Sequence, residues 1–229
     1  MTKIDIFSGF LGAGKTTLIK KLIREAYAGE KVVLIENEFG EIGIDGGFLQ
    51  DAGINIAEMN SGCICCSLVG DFAKALQKVS AEYNPDRIVI EPSGVGKLSD
   101  VIKAVAGANL PDAVLNAFCT VVDAGKCKMY MKNFGEFFND QVENAACIVL
   151  SHTDGISEEK LSACVALLKE HNPSAVVVTA SWTLLDGKTV LAAMEQKDSL
   201  KAELDRLREE YEEECHHGHH HDDDDEDEC

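Results

Sequence analysis

Eight residues near the start of the chain, Gly9-Phe10-Leu11-Gly12-Ala13-Gly14-Lys15-Thr16, have the types and spacing to grip a polyphosphate. They satisfy G-x-x-x-x-G-K-[ST] at every fixed position, between an apolar run and an amphipathic pattern. Glycines let the backbone wrap a phosphate, so that successive N–H groups and a helix N-terminus face the anion. Gly9, Gly12, Ala13, Gly14 and Thr17 belong to this cradle. Lys15 supplies a point charge for the β and γ phosphates, and the Thr16 hydroxyl supplies an oxygen ligand for Mg²⁺. A second hard ligand is expected from Ile88-Val89-Ile90-Glu91-Pro92-Ser93-Gly94. There a buried run ends in a carboxylate, Glu91, and the Gly94 N–H falls where a third phosphate can be sensed. Read blandly, the same stretch is a strand ending in a turn. Lys15, Thr16 and Glu91 are the residues expected to carry triphosphate hydrolysis. Asp123, closing Thr120-Val121-Val122-Asp123, is another strand-end acid, with functional and structural readings equally open.

Gly62-Cys63-Ile64-Cys65-Cys66-Ser67 offers different chemistry. Cysteines at i, i+2 and i+3 in a turn can aim two or three sulfurs at one point, and thiolates favour Zn²⁺, Cu⁺ and related ions. A closed structural zinc site needs four ligands, and this turn supplies at most three. The remainder can be a carboxylate, a water or a partner's ligand, as a transfer site requires. A redox cluster and inert buried cysteines are the competing readings. Glu36-Asn37-Glu38-Phe39-Gly40-Glu41 leaves the second apolar run, where a nucleotide-responsive segment would sit, although such acids alone also describe a solvated loop.

Five of the seven histidines lie in Cys215-His216-His217-Gly218-His219-His220-His221. Imidazoles suit Zn²⁺, Ni²⁺, Co²⁺ and Cu²⁺, and neighbouring carboxylates concentrate cations. A reservoir is therefore expected; the bland alternative is a purification tag. His152 and His171 have no ligand-like sequence neighbours and read as surface residues. Of the nine cysteines, Cys119, Cys127, Cys147 and Cys164 sit in apolar segments and read as small buried hydrophobes.

The elements that must position these groups alternate. Strands are expected at Lys3–Ser8, Lys31–Glu36, Asp86–Glu91, Phe118–Asp123, Ala145–Ser151 and Ala175–Thr179. Helical spacing occupies Thr16–Ala28, Asp71–Tyr83, Leu98–Ala106, Phe134–Asn144 and Glu158–His171. Runs such as Val32-Val33-Leu34-Ile35 are apolar on both faces, so the expectation is an α/β fold: a doubly wound, mainly parallel sheet with ligands at the carboxyl ends of its strands. Residues 1–186 are read as this P-loop domain, 187–211 as an amphipathic helix carrying Leu200, Leu204, Leu207 and Tyr211, and 212–229 as a disordered metal-binding tail.

The net charge of −19 is concentrated in that tail. Residues 209–229 hold twelve of the 40 acids, which leaves 28 acids against 21 bases elsewhere. No basic stripe exists for nucleic acid, no apolar run is long enough to span a membrane, and the N-terminal run is cut short by Gly and Lys unlike a secretion signal. A cytoplasmic protein is expected.

Gly9–Thr17, Ile35-Glu36-Asn37-Glu38-Phe39-Gly40-Glu41, Asn60-Ser61-Gly62-Cys63-Ile64-Cys65-Cys66 and Ile90-Glu91-Pro92-Ser93-Gly94 together resemble the CobW-type metallochaperone GTPases, related to the urease and hydrogenase nickel-insertion GTPases. The resemblance covers about residues 1–185. It implies a P-loop GTPase that binds GTP, GDP and Mg²⁺, and hands Zn²⁺, Co²⁺ or Ni²⁺ to a client metalloprotein under nucleotide control. It further implies a metal site drawing on Cys63, Cys65, Cys66, Glu36 and Glu41, with a nucleotide-dependent homodimer as one arrangement. Slow turnover is expected without a client, since no catalytic arginine or glutamine is identifiable. Two departures stand out. The usual C-terminal α/β domain has no room in this length. The guanine-reading Asn-Lys-x-Asp of GTP-binding folds is here Ser151-His152-Thr153-Asp154, which keeps the acid but loses the lysine stem that covers the base. Guanine preference through Asp154 with weakened affinity is the expectation. A metal buffer with a vestigial nucleotide site and a small-molecule kinase are the alternatives.

Removing residues 209–229 should lower the number of Zn²⁺ ions bound per chain, measured by calorimetry and elemental analysis; an unchanged stoichiometry rejects the reservoir.

Overall fold

The computed structural model describes residues 1–36, 55–58, 69–182 and 184–196 of the chain. Its strands are β1 (Thr2–Gly9), β2 (Val32–Glu36), β3 (Asn55–Glu58), β4 (Arg87–Glu91), β5 (Ala113–Asp123), β6 (Cys147–Ser151) and β7 (Val176–Val178). Its helices are α1 (Lys15–Glu25), α2 (Val69–Tyr83), α3 (Leu98–Gly107), α4 (Cys127–Asn133), α5 (Gly135–Glu143), α6 (Glu158–His171) and α7 (Gly187–Met194). The strands form one sheet in the order β3-β2-β4-β1-β5-β6-β7, with every neighbouring pair parallel.

Apolar residues at consecutive strand positions serve two cores. Val33, Ile35, Ile88, Ile90, Ile148 and Leu150 face one, with Phe72, Val101, Val142 and Leu168 of the helices α2, α3, α5 and α6. Val32, Leu34, Val89, Cys147 and Val149 face the other, with Leu18 and Leu22 of α1 and Val190 and Met194 of α7. Helices on both faces make the sheet doubly wound, as the continuous apolar runs require. Cys119, Cys127, Cys147 and Cys164 are all buried. Burial pushes the Cys119 thiol well above its ordinary value and that of Cys147 up to about 12, so both stay protonated packing groups. No helix among the described residues is long and apolar enough to cross a membrane.

Four elements differ from the sequence expectation. The helix expected over 187–211 ends as α7 at Met194, with Glu195 at its C-cap, and Leu200, Leu204, Leu207 and Tyr211 lie outside the described residues. β3 and α4 are short, at four and seven residues, so neither shows a full period of hydrophobic spacing. β5 starts five residues earlier than expected, at Ala113. The pairing slips between Ile4 and Asp5, where Asn116 is the extra residue of a bulge, and this breaks the apolar run.

That bulge serves a buried ion network beneath the sheet. The Asn116 side chain donates to Asp5 Oδ1 and to Glu195 Oε1, both at 2.8 Å. Arg87, 1% exposed, pairs with the fully buried Asp5 and with Glu30 at 2.6 Å, and its guanidinium lies 4.3 Å from the Tyr27 ring centre. Burial raises the Asp5 carboxyl above its ordinary value, against the pull of Arg87, Asn116 and Tyr27. Lys3 reaches Glu195 at 3.1 Å, so the residue after α7 is tied to the start of β1. Removing one partner strands a buried charge. Arg87→Ala should therefore cost about 3–5 kcal/mol, measured by urea unfolding; a loss below ~1 kcal/mol would show that water rescues Asp5.

Candidate functional site

The phosphate loop joins β1 to α1. Gly14 stands at the N-cap of α1 with φ +97°, a left-handed conformation that a side chain resists. No side chain caps this helix. The first N–H groups of α1 are thus directed at the space above the loop, where an anion can take them. Behind the loop, Phe10 is anchored in an aromatic cluster, with ring centres 4.6 Å from Tyr130 and 4.9 Å from Phe134. Lys15 is buried at the foot of α1.

Beside the loop, the Thr16 hydroxyl donates to both oxygens of Glu91, at 2.9 and 3.1 Å. A hydroxyl and a buried carboxylate this close are two hard oxygen ligands, a donor set that fits Mg²⁺. Thr16 and Glu91 can hold the ion, and Lys15 can neutralise a phosphate beside it.

After Glu91 the chain turns across the loop. A Cβ on Gly94 would lie 2.9 Å from the Leu11 backbone nitrogen and 2.9 Å from Leu11 Cδ2, so only glycine permits this approach. Gln141 of α5, fully buried, donates from Nε2 to the Gly94 carbonyl at 3.1 Å and the Gly96 carbonyl at 2.8 Å. Sequence reasoning missed Gln141 and the anchoring of Phe10, since both act across the fold and belong to no local motif. Leu11, Gly12, Gly14, Lys15, Thr16, Thr17, Glu91, Gly94 and His152 are among the residues lining one cavity of about 800 Å³.

A second cavity, of about 740 Å³, shares Gly14, Thr17 and His152 with the first and adds Asp154, Ser151, Trp182 and the basic side chains Lys20, Lys21 and Arg24 of α1. Asp154 Oδ2 accepts from Ser181 Oγ at 3.4 Å. His152, read from sequence as a surface residue, takes φ +52° and lines both cavities. His171 lies elsewhere, with Nδ1 2.9 Å from Glu143 Oε1.

Glu36, buried at the end of β2, is in register with Glu91 across β2–β4 and with Glu58 across β2–β3. Three acids therefore end three adjacent strands, and Glu58 had no motif to announce it. Asp123 accepts from the Gly125 N–H at 3.0 Å and pairs with Lys126 at 3.1 Å. Among the described residues, no three His, Cys, Asp or Glu side chains converge on one point. Glu41, Cys63, Cys65 and Cys66 lie outside the described residues, as do Cys215, His216, His217, His219, His220 and His221.

A parallel doubly wound sheet, with a glycine loop before α1 and a hydroxyl–carboxylate pair beside it, defines a P-loop nucleotide-binding domain. Residues 3–179 match the family described as CobW/HypB/UreG, nucleotide-binding domain, and the chain belongs to that family. It is 30% identical over 188 residues to the zinc chaperone YeiR of Escherichia coli K12, covering 82% of this chain and 57% of that protein. It is 34% identical over 190 residues to the zinc chaperone CobW of a Sinorhizobium species, covering 69% of this chain and 52% of that one. The chain thus spans about half the length of these curated relatives. The Zn(II)-bound YjiA GTPase of E. coli shares the fold at TM-score 0.59 and 24% identity, over 82% of this chain and 62% of that one.

Gly94→Ala should weaken binding of a nucleoside triphosphate by roughly tenfold or more, about 1.4 kcal/mol, because the loop backbone at Leu11 must retreat. Calorimetry with a non-hydrolysable triphosphate checks this; unchanged affinity means the two loops part freely.

Proposed function

We propose that this chain is the nucleotide domain of a GTP-dependent metallochaperone that binds Zn²⁺ as cargo, with Co²⁺ or Ni²⁺ as chemical alternatives, and passes it to a client metalloprotein. The observation that carries this reading is the register of β2 and β4, which ends Glu36 beside Glu91. The acid that leads into the Glu-Asn-Glu-Phe-Gly stretch is thereby one strand away from the pair that faces the phosphate loop. The zinc-chaperone relatives support the metal assignment.

In this mechanism Gly9, Gly12, Ala13, Gly14 and Thr17 cradle the phosphates through backbone N–H groups, and Lys15 balances the β and γ charges. Thr16 and Glu91 would hold Mg²⁺, which would supply charge neutralisation for the phosphates. Gly94 donates its N–H to the γ phosphate, and Asp154 accepts from the guanine edge. Engagement of Gly94 pulls on the segment after Glu91 and, through the adjoining strand, on the one after Glu36. Cys63, Cys65 and Cys66, with Glu36 and Glu41, hold the cargo ion in the GTP state; hydrolysis loosens them. The His-rich stretch Cys215–His221 feeds this site. The protein works in the cytoplasm, and dimerisation on nucleotide is compatible with the scheme.

Titrating Zn²⁺ into the chain loaded with GDP or with a non-hydrolysable GTP analogue tests the linkage. At least tenfold tighter Zn²⁺ binding in the triphosphate state is expected, within the usual range of coupling between sites. Lys15→Ala should remove both nucleotide binding and the difference. Equal Zn²⁺ affinity in the two states leaves only a metal buffer.

A further inference from the structure

The base cavity has an unexpected wall. It lacks the lysine stem that ordinarily covers a guanine; His152 stands at that position, with a left-handed backbone at the cavity rim. The other residues lining the cavity are glycine, hydroxyl-bearing or charged, apart from His152 and one large apolar side chain, Trp182. A purine has two apolar faces, and an aromatic side chain is the wall that covers most of one of them.

Trp182 follows β7 at the carboxyl end of the sheet and is 9% exposed. Its six-membered ring abuts the phosphate loop: Cη2 and Cζ2 lie 3.4 Å from where a Cβ on Gly14 would stand. The ring is thus wedged against the last glycine of the loop while it borders the cavity that Asp154 also lines. The preceding residue, Ser181, reaches Asp154 Oδ2 at 3.4 Å and ties the tryptophan loop to the acid.

Resting on the nucleotide reading above, we infer that Trp182 is the platform against which the purine base packs, replacing the missing lysine stem. The division of labour follows. The indole contributes affinity for any purine, because every base has a π face. Asp154 contributes the choice of guanine, because its carboxylate matches adjacent N–H donors that adenine lacks. Affinity and selectivity therefore reside on different loops, after β7 and after β6.

Trp182 is the chain's single tryptophan, so tryptophan emission reports on the surroundings of this one ring. Binding of GDP, ADP and inorganic tripolyphosphate is measured by calorimetry on wild type, Trp182→Leu, Trp182→Phe and Asp154→Ala, with wild-type tryptophan emission followed in parallel. GDP should change the emission and tripolyphosphate should not. Trp182→Leu should weaken GDP and ADP by the same factor, about tenfold to a hundredfold, and leave tripolyphosphate unchanged. Trp182→Phe should keep GDP within about threefold of wild type, and Asp154→Ala should lose affinity for GDP alone. Equal loss of GDP and tripolyphosphate in Trp182→Leu overturns the inference, since Trp182 then only props the loop. Unchanged GDP affinity in that variant, equal weakness in the leucine and phenylalanine variants, or unaltered emission with GDP bound also overturns it. A wild-type chain that binds neither GDP nor tripolyphosphate brings down the nucleotide reading itself, a different and separately visible result.

Discussion

Every functional arrangement in this protein rests on one constraint: neighbouring strands run in the same direction and end at the same edge. Parallel pairing with both faces covered leaves the carboxyl ends as the place where loops can gather. The register then decides which loops meet. Because Glu36 pairs with Glu91, and Ile6 of β1 with Ile90 of β4, the strand before the phosphate loop, the strand ending in Glu91 and the strand ending in Glu36 arrive abreast. A shift of one residue would turn Glu91 to the opposite face of the sheet and separate it from Thr16.

The loops at that edge touch one another and are also held from behind. Phe10 is fastened to Tyr130 of α4 and Phe138 of α5 through aromatic contacts, Gln141 of α5 grips the carbonyls of Gly94 and Gly96, and Asp140 accepts from Ser99 at the start of α3. One short helix therefore supports the phosphate loop, the glycine turn after Glu91 and the beginning of the next helix. Such support limits how the Gly94 turn can move: its carbonyls stay fixed to Gln141 unless α5 moves too. The Asp5–Arg87 network does the same for the opposite edge, where it fixes the starts of β1 and β4.

What was legible in the sequence was chemistry written locally. Gly9–Thr16, the doubly apolar strands and Glu91 at a strand end could be read because a motif or a period contains its own evidence. Short elements could not: Asn55–Glu58 and Cys127–Asn133 offer less than a full repeat, and Asn116 interrupts its strand by design of the bulge. Gln141, Glu58 and the wall at Trp182 depend on which elements the topology brings together, and no spacing along the chain encodes that. Trp182 did carry one faint signal, as a solitary indole just past a Val-rich run, where a ligand-side loop belongs.

The anchoring of Glu195 to Lys3, Arg87 and Asn116 fixes the point of departure of the polypeptide. Those contacts lie at the floor of the sheet, whereas the nucleotide cavities open at its roof. Gln196, the last of the described residues, follows directly on these contacts and so stands at the floor, on the side of the sheet away from the mouth of the site.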